Sequence, residues 1–365
     1  MRIGIDAVSL LLRSAGVKTW TWHWIDALRR NAGEDRIDAV PFIGELPELR
    51  HERSVLGARE TWPRIALLHA MNARGSPLVS LLASRFDVFH MSNQIRRLPR
   101  KACVTGTIHD LTCWIMPELH TRGNIQADRL FAERVLRHAA GLIAVSENTR
   151  ADAIRLLDFD PDRIRVIYPG VADAYFTASA RTMERPYVLY VGSIEPRKNL
   201  GALLNAWHGL RPSVREAYDL VIAGPPGWDY EKTMARLRAG GNGVRYLGYV
   251  AESELPGLFA AAAVFAYPSL YEGFGFPVAQ AMAARVPVLT SNVSSLPEIA
   301  AAGAVLVDPR SEDEIRGGLD RLLTSPSLRA TLARHGAARA AEFRWDVNAR
   351  KSLEFFHAAA GHSGG

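Results

Sequence analysis

Cysteine is nearly absent from this chain: Cys103 and Cys113 are the two in 365 residues. That excludes a disulfide-stapled scaffold and fits a reducing, cytoplasmic compartment; neither thiol has His or Cys company at metal-ligand spacing. No apolar run approaches the ~20 residues that cross a bilayer. The first residues, Met1-Arg2-Ile3-Gly4-Ile5-Asp6, read directly as a strand, with no charged-then-apolar leader, so no signal peptide is expected. G-x-G-x-x-G is missing after that strand, which argues against a Rossmann dehydrogenase. No helix-turn-helix, zinc-finger spacing or RNP motif is seen, so nucleic acid is not an expected partner. Internal repeats and low-complexity stretches are lacking too.

Hydrophobic residues make up 48% of the chain and charged residues 22%, which argues for large cores and against disorder. The length suggests two domains. A net charge of +6 points toward anionic partners: nucleotide substrates or an anionic membrane surface. A generally Arg-rich composition explains the same number and stays open.

Strand and helix patterns alternate. In the first half, strands are expected at 2–5, 88–90, 104–108, 141–145 and 165–168, with helices over 16–30, 126–140 and after Ser146 as N-cap. The second half restarts with strands at 187–191, 219–223, 244–247, 264–266, 286–290 and 304–307. Repeated βα units imply parallel sheets whose ligands bind at the carboxyl ends of the strands. The reading is α/β with two doubly wound domains: 1–180, rejoined by a last helix at 345–359, and 181–344, with a polar linker at 177–185.

Tyr267 to Ala283, YPSLYEGFGFPVAQAMA, is the most informative stretch. A strand runs into Glu272-Gly273-Phe274-Gly275, and a helix opens at Phe276-Pro277. Gly273 and Gly275 permit close backbone approach and positive φ, and Pro277 suits the first helical turn. Such a helix N-terminus presents free N–H groups to an anion such as a diphosphate. Earlier, Gly192-Ser193-Ile194-Glu195-Pro196-Arg197-Lys198-Asn199 delivers two adjacent cations to a loop before a helix. They read either as a diphosphate clamp, Arg197 a planar fork and Lys198 a point charge, or as solvent-facing charges at a helix start. His109 ends an apolar strand and reads either as a cleft residue or as a histidine satisfied locally by Asp110. Asp158-Phe159-Asp160-Pro161-Asp162 has D-x-D spacing, but Asp and Pro are ordinary in the turn it occupies, and no metal is expected. Residues 49–85 mix Trp62, Ile65, Leu67 and Leu68 with arginines, and Arg96, Arg97, Arg100 and Lys101 follow. They read as a face for anionic lipid, or as a helix packed on the first sheet with a solvated basic side.

The 267–283 segment resembles the nucleotide-binding signature of retaining glycosyltransferases of GT-B family four, an E-x7-E pattern, here Glu272-x7-Gln280 with an amide at the second position. The resemblance runs from Met1 to about residue 359. It implies the GT-B fold, two Rossmann-like domains facing a central cleft. It implies a hexosyl transfer without metal or cofactor, from a nucleotide-diphosphate sugar to a hydroxyl of a glycan or lipid-linked glycan. His109, Glu272, Arg197 and Lys198 would be catalytic. Gly16, Gly192, Ser193, Tyr249, Val250, Gly273, Phe274, Gly275, Phe276 and Gln280 would bind the donor. Asn93, Ser146 and Thr149, at strand ends of the first domain, are acceptor-side candidates. GSIEPRKNL, TIHDL and SNVSSLPE resemble the mannosyl- and rhamnosyl-transferring branch that builds bacterial surface polysaccharides, with GDP-mannose the first donor and the inner membrane face a place of peripheral contact. Two rivals stay open: a GT-B nucleotide-sugar hydrolase or epimerase, and a non-catalytic sugar-nucleotide-binding subunit, suggested by Gln280.

Overall fold

The computed structural model describes residues 1–13, 16–50, 53–92, 94–100, 102–241 and 243–362. The chain forms two compact units. One comprises Met1–Gly170 with Trp345–Gly365, the other Val171–Arg344.

The first unit is built on strands β1 (Arg2–Asp6), β2 (Arg36–Val40), β3 (Val88–Met91), β4 (Cys103–Ile108), β5 (Gly141–Ala144) and β6 (Ile164–Val166), in the order β2-β1-β3-β4-β5-β6. Every ladder is parallel. Strand β3 is wholly buried and β4 nearly so, as expected of strands covered by helices on both faces. Strand β2, which the sequence reading did not anticipate, is an edge strand and carries the charged Arg36 and Asp38. The helix Gly16–Asn31 packs on the last helix, Trp345–His362. Trp24 Nε1 donates to Ser352 Oγ at 3.1 Å, and Arg30 pairs with Asp346 at 2.8 Å. The helix expected over 126–140 lies instead at Arg122–Arg134, because Thr121 caps it by accepting from Asn124 N–H.

The second unit holds β7 (Tyr187–Val191), β8 (Asp219–Ala223), β9 (Val244–Gly248), β10 (Val264–Tyr267), β11 (Val288–Ser291) and β12 (Ala304–Val307). Their order is β12-β11-β10-β7-β8-β9, again parallel throughout. Strand order reverses between β7 and β10 here, and between β1 and β3 in the first unit. These are the topological switch points where open α/β sheets bind ligands.

The chain leaves the first unit at Gly170, earlier than the expected 177–185 linker. Residues 171–180 pack in the second unit because Tyr175 is fully buried, edge-on to Phe259 with ring centroids 5.6 Å apart. Arg181 N–H then donates to Gly257 O at 3.1 Å. Burial of one large aromatic outweighs the polar composition of the stretch.

Candidate functional site

At the second unit's switch point, the loops after β7 and β10 are laced together. Arg197 O accepts from Leu270 N–H at 2.8 Å and from Ser269 Oγ at 3.0 Å. Asn199, in the left-handed region at φ 57°, donates from Nδ2 to Pro268 O and Pro309 O. The lacing brings Glu272 against both cations of the first loop. Glu272 Oε1 accepts from Lys198 Nζ at 2.6 Å, Tyr267 OH at 2.8 Å and Ser269 Oγ at 2.8 Å. Its Oε2 accepts from Arg197 at 3.1 Å. Arg197 also donates to Tyr271 O at 2.7 Å and to Glu195 at 2.9 Å. Glu195 in turn accepts from Ser193 Oγ at 2.8 Å.

Burial raises the Glu272 carboxyl, but the charges of Lys198 and Arg197 outweigh it and hold it at about 2. Burial, then the neighbouring Arg197, lowers the Lys198 ammonium against the pull of Glu272. The reading of solvent-facing charges at a helix start does not hold: the Lys198 side chain is 13% exposed, and Arg197, 12% exposed, turns its terminal nitrogens to protein oxygens. Two carboxylates balance two cations, so the cluster is a neutral, four-membered ion network.

Two glycines near it, Gly224 and Gly275, are steric necessities. Gly224, at φ +145°, lies so close to the β7 loop that a Cβ would stand 1.9 Å from Gly192 O. Gly192 N–H donates to Ala223 O and Gly224 N–H to Gly248 O, so three neighbouring strand ends converge on bare backbone. Gly275 has φ +96°, and a Cβ there would meet Leu296 at 2.7 Å. The Glu272-Gly273-Phe274-Gly275 loop is pinned from behind. Ser294 Oγ accepts from Glu272 N–H at 3.0 Å, while Ser295 Oγ donates to Glu272 O and Phe274 O. Phe274 is buried between Phe276 and Phe343. The helix Phe276–Ala283 then begins without a side-chain cap. Gln280 is half-buried on it, one turn beyond Phe276. Tyr249 is 44% exposed and Val250 half-buried, just past Gly248.

In the first unit, His109 follows β4 and is half-buried. Among the described residues no hydrogen bond joins it to Asp110, whose Oδ1 accepts from Thr112 N–H at 3.0 Å and Thr112 Oγ1 at 2.6 Å. Burial pushes His109 down to about 4 against the pull of Asp110, so the ring is neutral at pH 7. Gly16 opens the helix Gly16–Asn31 with free space where a Cβ would stand. Ser146 and Thr149 do not present an acceptor surface. Both are fully buried, Ser146 capping the helix Glu147–Leu157 by accepting from Thr149 N–H at 3.0 Å. Asn93 and Lys101 lie outside the described residues. The D-x-D aspartates cap turns: Asp158 closes the preceding helix at φ 52°, and Asp160 accepts from Asp162 N–H. Among the described residues no group of three or more His, Cys, Asp or Glu side chains could hold a metal.

Several residues of these sites were not read from sequence. Glu195 stands two residues before Arg197, and that i, i+2 carboxylate was the available signal. Tyr267, Ser269, Ser294 and Ser295 gave none, because their partners are set by tertiary contact. Asp6, buried at the end of β1, ties the first unit's switch point by accepting from Ser92 Oγ at 2.5 Å and Val8 N–H at 3.0 Å.

Residues 14–175 match the family model Glycosyltransferase Family 4, and residues 172–339 match Glycosyl transferases group 1. The chain is 34% identical over 265 residues to the O-antigen chain mannosyltransferase B of Escherichia coli, covering 68% of this chain and 70% of that one. Its fold superposes on sucrose-phosphate synthase from Thermosynechococcus elongatus with a TM-score of 0.77 at 18% identity, over 99% of this chain and all of that one. Anabaena Alr3699/HepE, solved in complex with UDP-glucose, gives a TM-score of 0.72 at 18% identity, over 98% and 99% of the two chains.

Proposed function

The chain belongs to glycosyltransferase family 4, with the GT-B fold, and we propose that it moves a hexose, mannose first, from a nucleotide-diphosphate sugar to a glycan hydroxyl with retention of configuration. The observation that carries this reading is the Glu195–Arg197–Glu272–Lys198 network, set at a switch point beside an uncapped helix N-terminus. The E. coli relative is named a mannosyltransferase of the O-antigen chain, which supports mannose as the sugar and surface polysaccharide as the product. The HepE complex with UDP-glucose supports a nucleotide-sugar donor.

The diphosphate binds at the start of the helix Phe276–Ala283, whose N–H groups and dipole favour negative charge. Lys198 has three N–H donors, and Glu272 uses one of them. The remaining donors serve the phosphate oxygens as charge grows on the leaving group. Stabilisation by preplaced donors is largest at that point. Glu272, held ionised, keeps the ammonium in place and takes a sugar hydroxyl. The acceptor oxygen forms the new bond to the anomeric carbon on the face the diphosphate oxygen leaves, and its proton passes to a phosphate oxygen. No metal enters this scheme. Phe274 and Phe276 shape the loop, Tyr249 and Val250 receive the base, and Gln280 takes the ribose.

The helix Ala58–Asn72 supports contact with an anionic lipid surface. Arg59, Glu60, Trp62, Pro63, Ala66, His69 and Ala70 are exposed on it, with Trp62 70% exposed, so any lipid contact rests first on the apolar Trp62. Among the described residues no helix is long and apolar enough to cross a membrane.

The test is product analysis with GDP-mannose and a mannoside acceptor in excess EDTA. An α-linked glycoside is the expected product. Free mannose without a glycoside favours a hydrolase, and complete loss of activity restored by Mn²⁺ overturns the metal-free scheme.

A further inference from the structure

Glu195 places a carboxylate in a loop that otherwise gathers positive charge, and it is sealed there. Its side chain is 2% exposed. Oε1 accepts from Arg197 Nη2 at 2.9 Å and Oε2 from Ser193 Oγ at 2.8 Å. The loop after β8 closes over it. Gly227 N–H donates to Ile194 O at 3.1 Å and Ile194 N–H to Pro225 O at 2.9 Å, and a Cβ on Gly227 would stand 3.5 Å from Glu195 Oε2. Glu195 O also accepts from Lys198 N–H at 3.1 Å, so the same residue fixes the backbone of the lysine.

With Glu272 as the sole carboxylate, Arg197 and Lys198 would leave the network with a net positive charge; Glu195 brings the sum to zero. A positive site is the stronger trap for a diphosphate, and a buried charge is felt more strongly than one in water. The second carboxylate therefore weakens phosphate binding, and its benefit lies after the transfer. When the bond from the anomeric carbon to the diphosphate oxygen breaks, that oxygen keeps the electron pair and gains negative charge. The product nucleotide then binds any cationic site more tightly than the donor does. A neutral network limits that excess.

We propose that Glu195 is a positioning residue that sets product release: it fixes Arg197 and cancels its charge, so that the nucleoside diphosphate leaves a site with no net cation. This inference rests on the reading of the loop after β7 as part of the diphosphate site. A carboxylate that only balances a buried arginine acts on folding and on all ligands alike. One that sets the charge of the site discriminates ligands by their phosphate charge.

Glu195→Gln keeps the shape of the side chain and removes its charge. Calorimetric titrations compare guanosine, GDP and GDP-mannose, and likewise uridine, UDP and UDP-glucose. The variant is expected to bind GDP or UDP about tenfold more tightly, the sugar nucleotide with a smaller gain, and the nucleoside as wild type does. A diphosphate bound no more tightly, or all three ligands shifted together, overturns the proposal. Arg197→Gln, alone and combined with Glu195→Gln, keeps the test informative if the single Glu195 variant folds poorly, because removing both charges restores neutrality. Arg197→Gln alone should weaken diphosphate binding by about threefold or more, and the double variant should return to within about twofold of wild type. A double variant no better than Arg197→Gln alone overturns the proposal. Wild type separates the two ideas. If it holds GDP and UDP no more tightly than their nucleosides, the diphosphate reading of the loop fails. If it prefers the diphosphates and Glu195→Gln leaves that preference unchanged, the Glu195 inference alone fails.

Discussion

Lys198 Nζ donates to Glu272 Oε1 at 2.6 Å across 74 residues of sequence, and both side chains are close to fully buried. This pair joins the loop after β7 to the loop after β10. It therefore shapes the site as well as charging it, and stability and catalysis are coupled at these two residues.

Lys198→Ala leaves the Glu272 carboxylate with only Arg197 as a cationic partner. Breaking a buried pair by removing one partner costs about 3–5 kcal/mol, whereas removing both charges together costs much less. The expected order of stability is wild type, then Lys198→Ala with Glu272→Gln, then Lys198→Ala alone. Urea denaturation of the four corners of the cycle measures it. A single Lys198→Ala variant as stable as wild type would refute the buried-pair account. Its kcat/KM is expected to fall by about two orders of magnitude or more, from loss of a charge-assisted contact.

The pH dependence follows from the carboxylate. Glu272 is held at about 2 in the folded chain against an ordinary value of 4.5. A depressed carboxylate contributes stability that is fully present above pH 4.5 and lost as pH falls toward 2. The contribution is on the order of 3 kcal/mol. His90 acts in the same direction: it is fully enclosed and pushed by burial, then by the nearby His109, to about 3 from 6.5. The unfolded chain takes up that proton first, so His90 also removes stability as pH falls from 6.5 to 3. Thermal melts from pH 7 to 3 are expected to show a progressive loss, shallower above pH 4.5 in His90→Gln and shallower below it in Glu272→Gln.

Two glycines separate backbone necessity from function. Gly224→Ala forces a Cβ to 1.9 Å from Gly192 O at φ +145°, and is expected to cost roughly 2–5 kcal/mol from strain and overpacking. Gly16→Ala meets open space at a helix start, so its stability should match or exceed wild type by up to about 1 kcal/mol. A fall in donor affinity in the stable Gly16→Ala protein would then report close backbone approach to the ligand. Calorimetry on both variants gives the two readouts.

Gln280 is half-buried one turn into the helix Phe276–Ala283. An amide offers one acceptor oxygen and two N–H donors, and so bonds ribose hydroxyls without charge assistance. Gln280→Ala should weaken nucleotide binding by about 1–3 kcal/mol, and Gln280→Glu should bind equally or more tightly. Titration with GDP and UDP checks this; normal binding by Gln280→Ala would remove the residue from the ribose.

Lipid contact predicts co-sedimentation with phosphatidylglycerol vesicles at low salt, little with phosphatidylcholine, and release as salt screens Arg59. Trp62→Ala and Arg59→Glu should each reduce the bound fraction while leaving kcat on a soluble acceptor unchanged. Equal binding to both vesicle types would count against an electrostatic surface.

Local sequence pattern carried the βα alternation, the parallel class of both sheets and the positions of the glycine-rich turns. These follow from local apolar runs and backbone rules carried by nearby residues. It missed β2, since an edge strand tolerates the charges of Arg36 and Asp38 that mask its pattern. It misread Ser146 and Thr149, since a helix cap and a ligand contact use the same hydroxyls. Long-range packing alone sets Arg197 and Lys198 against Glu272. Those relations join residues 74 or more positions apart in the pairs with Glu272, and depend on which strand ends the sheet order makes neighbours. Strand order is fixed by long-range packing, which no local pattern encodes.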